Sequence, residues 1–349
     1  MNEDRKGVNW LKRRMIVVGV IMVVVFGVIV ASCAKQPKAE RPKAKKLQKI
    51  VVAESARGEH WLPVYLAHQL GYFKDEGLEV SFVTYQGGPL AIAALLAGDA
   101  QFSLTGYEQV LKTYEKGKST KMIGATTQKH SWSLLVRPEI KTFADLKGKK
   151  ISAGKPGSSA RAFVRASVIY GGLNPDTDVV YVDLPPGGEV AALDKGEIDA
   201  AFGGGARKVE LLKKGAKVLV DLTKPEQHKK VIGSDTYHLY VIQVTDEYSK
   251  KHPDIVQKFV NAVARGIAWQ KKHTVKEIAA TIAPLFPGIK AEAITDVKRS
   301  LSSDGYLTKE GHAAAVRFSI DVGMITKPIP FKAVVDNSFI RKAHKKLGK

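Results

Sequence analysis

Ala93 to Gly106 reads AALLAGDAQFSLTG, and Ala191 to Gly204 reads AALDKGEIDAAFGG. The two strings align without a gap: Ala-Ala-Leu, two variable positions, a glycine, an acid, then a short mostly apolar run that ends in glycine. A run of helix formers stopped by glycine and followed by an apolar stretch reads as helix, corner and strand. Two such units in one chain predict two α/β lobes built alike, each aiming the C-terminal end of its strand at the same place. The endings differ. The first copy finishes in Thr105-Gly106, which offers a hydroxyl and an amide, and the second in Gly203-Gly204-Gly205, which offers backbone alone.

The surroundings of both copies repeat the alternation. KIVVAES, EVSFVTY and QFSLT read as strands, with LPVYLAHQLGYF and Pro89 to Ala97 as the helices between them. Pro63 falls in a first helical turn, where its missing donor costs nothing. A second series follows: KKISAG, a helix from Ser158 to Tyr170, VVYVDL, a helix from Gly188 to Lys195, DAAFG, a helix from Arg207 to Lys213, and AKVLVDL. Such alternation predicts mainly parallel sheets with helices on both faces. SWSLLVR, around Trp132 to Arg137, leaves the first unit, and TYHLYVIQV returns to it; the hinge is expected near Trp132 to Val136 and Asp235 to Val241. From Asp246 the chain is helical and is expected to pack on the first lobe. The expected organisation is residues 1–32 leader, 33–47 tether, 48–133 with 237–349 the first lobe, and 134–236 the second.

A chain of 349 residues with 44% apolar and 26% charged residues has the size of two domains and the composition of a globular protein. Its N-terminus is separate. Arg5, Lys6, Lys12, Arg13 and Arg14 precede an apolar run from Met15 to Ala31, an export-signal pattern. Val30-Ala31-Ser32-Cys33 then resembles a bacterial lipobox, which implies cleavage before Cys33 and a lipid on its thiol; an uncleaved single-span anchor is the alternative. With one cysteine there is no disulfide. AKQPKAERPKAKKL, with two prolines and six basic residues, reads as a solvated tether that could also favour anionic headgroups.

LPVYLAHQLGYFKDEGLEV, YQGGPLAIAALLAGDAQFSLTG and ADLKGKKI, in that order and behind a lipobox, are similar to the solute-binding proteins of ABC importers, most of all the nitrate, aliphatic sulfonate, taurine and pyrimidine-precursor group. The resemblance implies a two-lobed clamshell of the type 2 periplasmic-binding-protein fold, an exported and lipid-anchored monomer that closes on one small solute and hands it to a permease and its ATPase. The solute would be anionic or heteroaromatic. A surface sensor using the same clamshell is the competing function.

Ligand sites in α/β sheets lie beyond the C-terminal ends of strands, where amides and helix N-termini converge. After the first strand the resemblance implies that the loop touches ligand, which makes Ser55, Arg57 and Trp61 candidates, with Arg57 able to grip a planar anion. The strand-end rule points to Gln86, Gly87 and Gly88 after the second strand, and to Thr105, Gly106 and Tyr107 after the third. In the second lobe it selects Ser158 and Ser159 at a helix start and Gly203 after DAAFG, and Tyr237 on the returning segment could line the cleft floor. Helix capping by serine at Ser158-Ser159, stapling of the helix start by Trp61 with Arg57 in water, and core packing of Tyr237 are the structural alternatives. No cofactor or metal is expected, since the nine histidines show no ligand spacing, and there is no G-x-S-x-G elbow to suggest an enzyme. A net charge of +21 arises from scattered lysine pairs without interleaved aromatics, so nucleic acid is not expected as a partner.

Overall fold

The computed structural model describes residues 46–348 apart from residue 186. The leader, the lipobox cysteine and most of the tether therefore lie outside the described residues. Among the described residues, ten strands form two five-stranded sheets. The first contains β1 (Gln48–Glu54), β2 (Leu78–Thr84), β3 (Phe102–Gly106) and β4 (Thr120–Ala125). The second contains β5 (Ser133–Val136), β6 (Lys150–Ser152), β7 (Val180–Val182), β8 (Ala200–Gly203) and β9 (Lys217–Asp221), and β10 (Tyr240–Thr245) joins the first sheet. The orders are β2-β1-β3-β10-β4 and β7-β6-β8-β5-β9.

The two copies of the repeated sequence occupy matching places. The helices Gly88–Ala97 and Gly188–Asp194 lead through their corners into β3 and β8, and each of those strands is the centre of its sheet. At the first corner the Asp99 amide donates to Ala94 O at 3.0 Å and the Gln101 amide to Val51 O at 3.0 Å. At the second corner Glu197 donates to Ala192 O at 2.9 Å and Asp199 to Lys150 O at 2.8 Å. Both turns need a left-handed residue, supplied by Gly98 (φ 86°) and Gly196 (φ 73°).

The sheets are less uniformly parallel than the alternation predicts. β10 runs antiparallel to β3 and β4, and β5 antiparallel to β8 and β9. These are the two strands that the chain lays down directly after crossing from the other lobe. Each enters its new sheet at the end where the parallel strands finish, so it must run the opposite way. Tyr240 pairs with Gly106 and Ser133 with Gly203, fixing each crossing to the last residue of a central strand.

The long helix Pro253–Lys272 buries Phe259, Val263 and Ile267. Phe259 stacks on Phe102 of β3 with ring centroids 4.0 Å apart, so the C-terminal helical section covers the first sheet.

Gly98→Ala and Gly196→Ala should each destabilise the fold by about 1 to 2 kcal/mol, the cost of placing a Cβ in a left-handed conformation. No neighbouring atom would clash with the added methyl at Gly98, so conformation alone sets the loss there. Urea unfolding monitored by circular dichroism measures both.

Candidate functional site

A cavity of about 540 Å³ lies between the two sheets, where the parallel strands of both end. Its first-lobe wall comes from the segment after β1 and the start of the helix Gly88–Ala97. Its second-lobe wall comes from the segments after β6, β7 and β8.

Seven of the residues expected from the sequence line this cavity: Ser55, Arg57, Gln86, Gly87, Gly88, Ser158 and Ser159. Arg57 reaches it with its charge already matched. Its guanidinium contacts Glu54 at 2.8 Å, and fully buried Glu54 also accepts the Tyr65 hydroxyl at 2.5 Å and the Thr84 hydroxyl. The two serines divide their work. Ser158 Oγ accepts the Arg161 amide at 3.2 Å and caps the helix Ser159–Tyr170. Ser159 Oγ is buried and has no hydrogen-bond partner of good geometry among the described residues. It lies beside Glu108, whose carboxyl is pushed up from the usual carboxylate range mainly by burial.

Six expected residues do not line the cavity. Trp61 is fully buried behind its wall, donating to Ala56 O at 3.1 Å and standing edge-on to Tyr240. Thr105 turns inward and donates to the side chain of Gln109, and Gln109 Oε1 also accepts the Gly106 amide at 3.1 Å. Thr105 thus acts on the cavity through Gln109, which does line it. Gly106 serves the approach of the lobes, because a Cβ there would overlap Ser159 Oγ of the opposite lobe. Tyr107 is buried in the first lobe with its hydroxyl 2.7 Å from His312 Nδ1. The other His312 nitrogen faces Ile329 O, which only accepts, so Nδ1 takes the tyrosine proton. Gly203 is the last residue of β8, and its neighbour Gly204 lines the cavity instead. Tyr237 is wholly buried, with its hydroxyl donating to Glu108 at 3.1 Å.

The aromatic lining comes from rings other than the expected Trp61, Tyr107 and Tyr237. His60 and Tyr240 stack face to face with centroids 4.0 Å apart and planes 6° apart. Trp132 stands at 6.0 Å from Tyr240 and 5.0 Å from Phe202, and all four rings line the cavity. Burial, with Arg207 nearby, lowers the His60 pKa to about 3, so this ring is neutral and acts as an aromatic wall. Arg207 lies over Phe202, 5.0 Å from its centroid, and contacts Glu189 at 3.3 Å. Arg57 and Arg207 each face a carboxylate, whereas Lys155 also lines the cavity and makes no ion pair among the described residues.

Two lobes joined by two crossing strands, with a polar and aromatic cavity at the strand ends, define a hinged solute-binding clamshell. The chain belongs to the NMT1/THI5-like family, whose model matches residues 59–276. It is 28% identical over 337 residues to a Bacillus subtilis protein named for binding aliphatic sulfonates, a match covering 93% of this chain and 96% of that one. A solved structure from Bordetella bronchiseptica superposes with a TM-score of 0.77 at 26% identity, covering 87% of this chain and 99% of the other. The Escherichia coli periplasmic aliphatic sulphonate binding protein shares the fold at a TM-score of 0.64 and 19% identity, covering 84% and 99%. A desulfurization enzyme shares it at 0.61 and 16% identity, covering 86% and 99%.

His60 generates a pH prediction. The unfolded chain binds a proton near pH 6.5 that the folded site accepts only near pH 3. Stability is then complete above pH 6.5 and is lost as pH falls through that window, by up to about 1.4 kcal/mol per pH unit for this residue. His60→Phe preserves a ring and should reduce the slope of the urea-midpoint profile between pH 7 and pH 5, leaving the part set by other buried histidines whose pKa is also lowered, such as His130, His228 and His238.

Proposed function

We propose that the chain is the extracytoplasmic solute-binding component of an ABC importer, and that its solute is an organic sulfonate with a flat or apolar tail. The cavity carries this reading: helix N-termini from opposite lobes face an aromatic chamber. The helices Gly88–Ala97 and Ser159–Tyr170 begin at the cavity, and first-turn amides have no partners within their own helices. Together with Ser159 Oγ they suit a monoanion with several acceptor oxygens. With Arg57 and Arg207 already facing carboxylates, Lys155 is the cavity-lining cation left unpaired among the described residues, which suits a single negative charge. Size matters as well. About 540 Å³ is within the range of pockets for organic ligands, and nitrate or bicarbonate would leave most of it unfilled. Similarity to a relative named for aliphatic sulfonates supports the choice.

Binding is favoured over catalysis. The sequence has one cysteine, Cys33, and it belongs to the lipobox. A lipid on Cys33 would keep the clamshell at the membrane surface, near the permease. Cys33→Ser should remove the lipid mass and move the protein out of the membrane fraction; an unchanged mass and location would defeat that part of the proposal.

A thermal-shift and calorimetry panel tests the solute. Alkanesulfonates of increasing tail length and aromatic sulfonates should raise Tm, whereas nitrate and bicarbonate should not, with pyrimidines and riboflavin as the heteroaromatic arm. If no sulfonate binds while a heteroaromatic does, the sulfonate assignment fails.

The two serines should separate. Ser159→Ala should weaken sulfonate binding roughly 5- to 10-fold, equivalent to one lost hydrogen bond of about 1 to 1.5 kcal/mol, with little change in solute-free stability. Ser158→Ala should instead cost about 1 kcal/mol of stability through the lost cap. Paired denaturation and calorimetry distinguish them.

A further inference from the structure

We propose that the closed cleft is held by a latch belonging to the protein itself, in which Glu59 and Asp296 take the N-terminus of the second-lobe helix Gly205–Lys213. Glu59 lies in the short helical turn Glu59–Trp61 after β1, and Asp296 lies in the helix Ala291–Lys298 of the C-terminal section. The Ala206 amide donates to Glu59 Oε1 at 2.5 Å, and the Gly205 amide to Asp296 Oδ2 at 3.3 Å. Lys208, one turn into the helix, reaches Asp296 Oδ1 at 3.4 Å while also contacting Asp221 of β9 at 3.2 Å. Two carboxylates from outside the second lobe thus engage the start of one second-lobe helix.

That helix has no means of capping its own start. Its N-cap is Gly204, no side chain caps it, and no acidic residue lies in its first turn. Its amides and positive dipole end are therefore offered outward, and carboxylates are the groups that such an end attracts. The matching helix of the first lobe, Tyr107–Glu115, is completed from within by Gln109. Gly205 makes the latch sterically possible, because it adopts φ 54° and a Cβ on it would overlap the Glu59 carboxylate. Glu59 is nearly buried in this structure, and burial pushes its pKa up, with the Ala206 amide and Arg207 acting in the opposite direction.

The latch has a consequence for recognition and in this respect rests on the solute-binding reading. A solute anion cannot use this helix end while Glu59 occupies it. It is directed to other starts at the cavity, such as those at Gly88 and Ser159, so Glu59 helps select where in the cavity the anion sits.

The test needs no solute, so an incorrect solute assignment would leave it unaffected. Hydrogen–deuterium exchange and small-angle X-ray scattering would be measured on the intact solute-free chain and on Glu59→Ala/Asp296→Ala, Glu59→Gln and Gly205→Ala variants. The double alanine and Gly205→Ala variants should exchange the amides of residues 204–208 at least tenfold faster and show a larger radius of gyration. Amides of β3 and β8 should keep their wild-type rates, and Glu59→Gln, which retains an acceptor oxygen, should lie closer to wild type. Unchanged exchange at 204–208 would overturn the latch. Faster exchange without expansion would reduce the carboxylates to a local cap, and faster exchange throughout β3 and β8 would make them ordinary stabilising groups; either result also overturns it.

Discussion

Everything in this molecule depends on where two antiparallel ladders begin. Tyr240 pairs with Gly106 and Ser133 pairs with Gly203, so each time the chain crosses between lobes it is fastened to the last residue of the central strand it meets. Parallel strands collect their C-terminal ends on one side of a sheet, and ligands gather there. The crossings tie the two collecting sides together. A cavity lined by strand ends from both lobes follows directly, as does the presence of Trp132 and Tyr240, which sit beside the crossings, in its wall.

The lobes were legible because their signal is local and repeated. AALLAGDAQFSLTG and AALDKGEIDAAFGG each carry helix formers, a glycine able to adopt positive φ and an apolar strand, and those local preferences agree with the tertiary outcome. Orientation of the crossing strands was not legible. SWSLLVR and TYHLYVIQV have the composition of strands whichever way they run, and their direction is dictated by the side from which the chain arrives.

Within the site, the helix starts that follow strands were legible in the sequence and the aromatic wall was not. Gly87, Gly88, Ser158 and Ser159 mark helix starts after strands, and such starts face the cleft as a matter of topology. The aromatics could not be placed that way. His60 and Trp61 are adjacent, yet His60 faces the cavity and Trp61 fills the core behind it. Tyr237 and Tyr240 are three residues apart, and the one at the ladder's start lines the cavity while the other is held in the core by Glu108. Composition is silent about such a choice, since both members of each pair are large, amphipathic rings suited to either position. Only the register of β10 and the geometry of one short turn decide it.

The inequality of the repeat acquires a physical meaning at the same level. Where the first lobe places Thr105 and Gln109 to finish its own helix start, the second places three successive glycines and leaves a helix start open. An open start is costly in an isolated lobe and favourable when a carboxylate is brought to it, so the helix stabilises the lobes' approach to one another more than its own lobe. The serine pair at the neighbouring helix does not share that fate, because Ser158 caps its helix internally and Ser159 Oγ is buried beside Glu108. One second-lobe helix is thereby matched to the protein and the other remains available to a solute. In the proposed reading, closing and gripping are separate tasks given to different helix starts of the same lobe.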